Sequence, residues 1–79
     1  MEIIVTVKVH NANGHLEDDE EYFFRRRQDA VDFIVKDYFG YAGILSDDEL
    51  AEEIRECLKE SGVYDAADVV YTLGTGILR

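Results

Sequence analysis

The chain has 79 residues, with 18 Asp or Glu against 8 Lys or Arg and a formal net charge of −10. That length holds one domain, residues 1–79, and 47% apolar residues is too many for a disordered chain. The charge works against binding DNA, RNA or anionic membranes directly, because those ligands need a basic stripe and the one basic run is Arg25, Arg26 and Arg27. The single cysteine, Cys57, excludes an internal disulfide. A disulfide-free small fold, with no basic start and apolar run at its N-terminus, points to a cytoplasmic protein.

Residues 2–10 alternate, with Ile3, Val5, Val7 and Val9 on one face and Ile4, Thr6, Lys8 and His10 on the other, which predicts a strand with one buried face. Asn13-Gly14 predicts a hairpin turn. Folding the chain back there sets Lys8 opposite Asp19, Ile3 opposite Phe24 and Glu2 opposite Arg25, so charge meets opposite charge and apolar meets apolar. The second strand is expected over residues 20–26, with residues 17–21 as strand or loose acidic loop.

Residues 28–39 read as a helix, with Val31, Ile34, Val35 and Tyr38 at helical spacing and Gly40 placed to cap its end. A second helix follows. Ser46 and Glu49 have the spacing of a capping box, Leu45 and Leu50 that of a hydrophobic staple, and Leu50, Ile54, Cys57 and Leu58 form the buried stripe. Gly62 ends it, with Val63 placed to fold back on Leu58. A third strand is expected over residues 68–73, loosened by Gly74-Thr75-Gly76 and continued by Ile77 and Leu78. The expected fold is α+β, in the order ββααβ: a three-stranded sheet packed on a single layer of two helices. The sheet's other face then carries Ile4, Phe23 and Val70 as an exposed apolar patch.

No constellation for catalysis is present. Ser46 and Ser61 are accounted for as helix ends, and Cys57 lies on a buried stripe. His10 and His15 flank a turn near Asp18 and Asp19, without the helix-borne third ligand that a metal site calls for. Gly74-Thr75-Gly76 follows a strand but precedes no helix, which fails the test for a nucleotide loop. The reading is therefore of a non-enzyme with no cofactor and no metal.

The acids carry the functional signal. Glu17, Asp18, Asp19, Glu20 and Glu21 are consecutive, and Asp48, Glu52, Glu56 and Glu60 recur every fourth residue, making a line of carboxylates about 6 Å apart along a helix. Such spacing approximates that of phosphates on a nucleic-acid strand. These acid rows on a small α+β chain resemble phage-encoded inhibitors of host defence, the anti-CRISPR proteins and other DNA mimics. The resemblance implies competition. Carboxylates of these nine residues would engage the Lys and Arg side chains that a partner, such as a CRISPR effector subunit or another nucleic-acid-binding protein, uses to hold phosphates, in the cytoplasm of the host cell. The alternative is a small assembly module that dimerises through its sheet, its acidity reflecting halophilic or solubility adaptation.

Overall fold

In the computed structural model, which describes residues 2–76, the alternating segment forms β1 (Glu2–His10) and the acidic run forms β2 (Leu16–Phe24). They pair antiparallel, with Ile3 opposite Phe24 and Lys8 opposite Asp19, as charge and size complementarity predict. A bulge beside Val9 and His10 sets Leu16 across from His10. The turn is organised by Asn11, whose Oδ1 accepts from the amides of Asn13 and His15 at 2.9 and 3.0 Å. The second strand thus begins at Leu16 and not at residue 20, and it stops before Arg25. Acids have poor strand propensity, but β1 supplies a regular strand with one apolar face, and the turn fixes the register.

Helix α1 (Arg27–Ala42) runs past Gly40 and ends at Gly43, in the left-handed region at φ 73°, with its amide bonded to the Phe39 carbonyl. The extra turn carries Tyr41, whose hydroxyl donates to Asp68 at 3.2 Å. Gly40 is therefore a helix-interior glycine, and a Cβ there would meet nothing within 4 Å. Gly40→Ala should raise stability by about 0.5–1 kcal/mol, whereas Gly43→Ala should lower it, because alanine is strained at positive φ. Thermal melts of the two variants should move in opposite directions.

Helix α2 (Asp48–Ser61) is capped by Asp47 and not Ser46; the Asp47 Oδ1 accepts from the Leu50 amide at 3.0 Å. With the cap one residue later, Glu49 falls out of the capping-box position and Leu45 out of the staple, leaving Leu45 fully exposed. The buried stripe remains: Ile54 and Leu58 are fully buried, with Leu50, Ala51 and Cys57 partly so. Gly62 caps the end.

A three-residue strand precedes the expected one and adds a fourth to the sheet. β3 (Val63–Asp65) leaves Gly62 directly, so Val63 pairs with Thr72 instead of serving as the apolar contact of the helix cap. β4 (Val69–Gly76) lies between β1 and β3, giving an antiparallel four-stranded sheet in the order β2-β1-β4-β3. Gly74-Thr75-Gly76 stays inside β4, paired with Ile4, Ile3 and Glu2. Ile77 and Leu78 lie outside the described residues.

Both helices cover the face bearing Val5 and Val7, and the core is Val5, Val7, Ala30, Ile34, Val35, Ile54, Leu58, Val69 and Tyr71. On the open face Ile4 and Phe23 are cross-strand neighbours, and Phe23 is 59% exposed. Val70 is paired with Lys8, beyond Thr6 and Thr72, so it does not join them. Ile4 also leans over Gly76, where a Cβ would come 2.7 Å from its Cδ1.

Two aromatic groups fill the space between helices and sheet. Phe33 lies 4.7 Å from Tyr22 and 5.3 Å from Phe24, and Tyr38 meets Tyr64 and Tyr71 edge-on. Tyr71 is fully buried and donates to Asp37 Oδ2 at 2.8 Å. Burial pushes the Tyr64 phenol from 10.0 up to about 12. The hydrogen bond to Glu20, with burial and the nearby carboxylates, does the same for Tyr22. Burial and the Asp37 bond raise Tyr71 further. The folded chain holds these protons more tightly than the unfolded one. The resulting stabilisation is complete below pH 10.0 and is lost as pH rises towards and past about 12. Circular dichroism and phenolate absorbance, followed together, should show a cooperative unfolding transition in that window.

Candidate partner interface

The hairpin register and the helix pairing determine which acids share an end of the molecule. Arg27 donates to the Leu58 carbonyl at 2.7 Å and Arg55 to Asp32 at 3.2 Å, so α1 and α2 run antiparallel. The start of α2 therefore lies beside the end of α1. Tyr41, in the last turn of α1, reaches Asp68 in the turn between β3 and β4, and the Asp68 carbonyl accepts from the His10 amide at 2.7 Å. The two hairpin turns, the end of α1 and the start of α2 thus share one end. Gathered there are Glu17, Asp18 and Asp19 from β2, Asp65 and Asp68 around the β3–β4 turn, and Asp47, Asp48 and Glu49 at the start of α2. Burial of part of the Tyr41 ring raises its phenol above the ordinary value, and the carboxylates of Asp68 and Glu17 add to the effect.

From this end the acid rows diverge. Glu20 and Glu21 run down β2 at one edge of the sheet, while Glu52, Glu56 and Glu60 run down α2, which packs over β3 at the opposite edge. All nine of the acids singled out in the sequence are exposed. They do not form one continuous face: strand pairing turns Asp18 and Glu20 to the helix side of the sheet, and Asp19 and Glu21 to the open side.

Between the two hairpin turns lies a cleft of about 640 Å³, lined by His10, Asn11, Asp65 and Asp68 among others. The Asp65 Oδ1 accepts from the Ala67 amide at 2.8 Å and holds that turn, in which Ala67 sits at φ 72°. The His10 Nδ1 is buried and has no hydrogen-bond partner. No group of three or more His, Cys, Asp or Glu side chains among the described residues is placed to hold a metal ion.

Sequence reasoning missed Asp65, Asp68 and Tyr41 as members of this end. The available signal was the pair of acids bracketing Ala66-Ala67, but its meaning depends on β3, which is too short to show a period. Among the described residues no helix is long and apolar enough to cross a membrane. Comparison with protein-family models, with curated proteins and with solved structures finds no match for this chain.

Proposed function

We propose that this protein is a non-catalytic acidic binding protein that occupies a basic, nucleic-acid-holding surface of a partner protein, in the manner of anti-CRISPR proteins and other DNA mimics. The observation that carries the reading is that carboxylates from β2, the β3–β4 turn and the start of α2 share one end of the fold, where Asp65 and Asp68 line a cleft. Carboxylates held on separate elements are pre-organised, so binding them costs little further ordering. Their summed field also speeds encounter with a cationic groove. A lysine or arginine projecting from the partner would meet Asp65 and Asp68 in the cleft.

A direct test is affinity capture from a host lysate at low salt, followed by identification of the captured proteins. Nucleic-acid-binding proteins released by added DNA or by raised salt are the expected result. Capture of none, or release indifferent to both, removes the proposal.

The assembly alternative has its own observation in Phe23, 59% exposed beside Ile4 on the uncovered sheet face. Sedimentation at several concentrations separates the two readings. A tight dimer weakened by Phe23→Ser and unaffected by neutralising acids would favour assembly.

A further inference from the structure

At the end of the molecule away from the two hairpin turns, the first turn of α1 and the last turns of α2 flank a groove of about 420 Å³, lined by Arg27, Gln28, Asp32, Arg55 and Lys59 with Val31 as its apolar wall. Three of the chain's eight Lys and Arg residues thus line a single groove, on a protein that is otherwise strongly acidic. Arg55 is paired with Asp32 at 3.2 Å, which is the one ion pair among the described residues. Arg27 is held by the neutral Leu58 carbonyl at 2.7 Å, which fixes its guanidinium without compensating its charge. Lys59 stands one turn beyond Arg55 on α2 and has no ion-pair partner among the described residues. The row of Glu52, Glu56 and Glu60 runs along the same helix, yet none of these carboxylates reaches ion-pair distance of Arg55 or Lys59.

Among the groove's lining residues Arg27, Arg55 and Lys59 are set against Asp32 alone, a surplus of two positive charges, while Asp29 in the first turn of α1 and Glu56 and Glu60 on α2 stand outside the lining. The start of α1 adds to it. Its N-cap, Arg26, makes no side-chain cap bond, so the first amides of the helix receive no side-chain acceptor from that position. Clustering like charges is unfavourable unless something compensates them, and carboxylates are plentiful elsewhere on this surface. The acidic end does not cancel the site at physiological salt. The molecule extends 37 Å along its longest axis, and screening acts over about 8 Å.

We infer that this groove binds a phosphate monoester of a small molecule. The dianionic phosphoryl group matches the surplus charge, with Arg27 and Lys59 as its main donors and Gln28 beside them. The remaining volume and Val31 accommodate the organic part. The inference is independent of the acidic end and holds whether or not that end binds a partner.

The test is titration of the isotope-labelled protein with phenyl phosphate and, separately, with inorganic phosphate. Amide spectra are recorded at fixed ionic strength, with chloride as the control. Saturable shifts are expected in the first turn of α1 and around residues 55–59, tighter for phenyl phosphate than for inorganic phosphate. Lys59→Gln should weaken phenyl phosphate binding about tenfold, and Lys36→Gln, on the exposed side of α1, should leave it unchanged. Equal or tighter binding of inorganic phosphate would overturn the assignment to an ester. Shifts matched by chloride, or an equal effect of the two lysine variants, would overturn the site itself.

Discussion

Ile54→Ala should destabilise the protein by about 2–5 kcal/mol and lower its melting temperature by about 10 °C or more. Ile54 is fully buried on the inner stripe of α2, within the same core as Val5, Ile34, Leu58 and Tyr71. Removing its outer carbons subtracts their transfer free energy and leaves a void that the sheet on one side and α1 on the other can close only in part. The total stability of a chain this size is about 4–12 kcal/mol, so a loss at the upper end leaves a substantial unfolded population. Leu50→Ala, at a half-buried position on the same helix, should cost distinctly less. Chemical denaturation of the two variants, read by circular dichroism, checks the order. Equal losses, or a loss below about 1 kcal/mol at Ile54, would mean that α2 is not docked as described.

The second large effect concerns the acidic end. Replacing Asp65 and Asp68 by Asn should leave the fold intact, because an Asn side-chain oxygen can still accept from the Ala67 amide and from Tyr41, as the carboxylates do. Binding of the proposed basic partner should nevertheless weaken by at least about tenfold, since truncating one member of a desolvated charge pair costs about 2–5 kcal/mol. Neutralising Glu52 and Glu56, exposed along α2, should alter mainly the association rate and its salt dependence, as rim charges do. The comparison is made by measuring association and dissociation rates of both double variants at two salt concentrations. If the α2 pair proved the more damaging, the interface would lie along that helix and not at the end.

The reasons for what the sequence disclosed, and what it hid, are physical. The alternation of β1 and the buried stripe of α2 are periodic over many residues, and burial enforces that period, so both were legible. The hairpin register was legible because Ile3 with Phe24 and Lys8 with Asp19 are matched only one way. The end of α1 was not, because Gly40 and Gly43 offer equivalent stop signals and the choice rests on a tertiary bond from Tyr41 to Asp68. The α2 cap was ambiguous for a similar reason: Ser46 and Asp47 are both good caps, and a shift of one residue dissolves both the capping box and the staple. β3 is three residues long and exists because Gly62 turns the chain at once and accepts from the Leu73 amide at 2.7 Å. The acidic end depends on that strand, so its membership had to await the topology. Residues 17–21 and the α2 row read as two clusters in the sequence, yet what shares one end of the fold is the beginning of each, together with Asp65 and Asp68.

The central claim is competition with nucleic acid through the acidic end. It is tested most directly by adding this protein to a captured partner already loaded with fluorescent nucleic acid, and following anisotropy. Displacement near one equivalent is predicted for the native chain, with little displacement by a chain carrying Asp18→Asn, Asp65→Asn and Asp68→Asn together. Nucleic acid that stays bound while the protein joins as a third component, or displacement that survives the triple substitution, would contradict it.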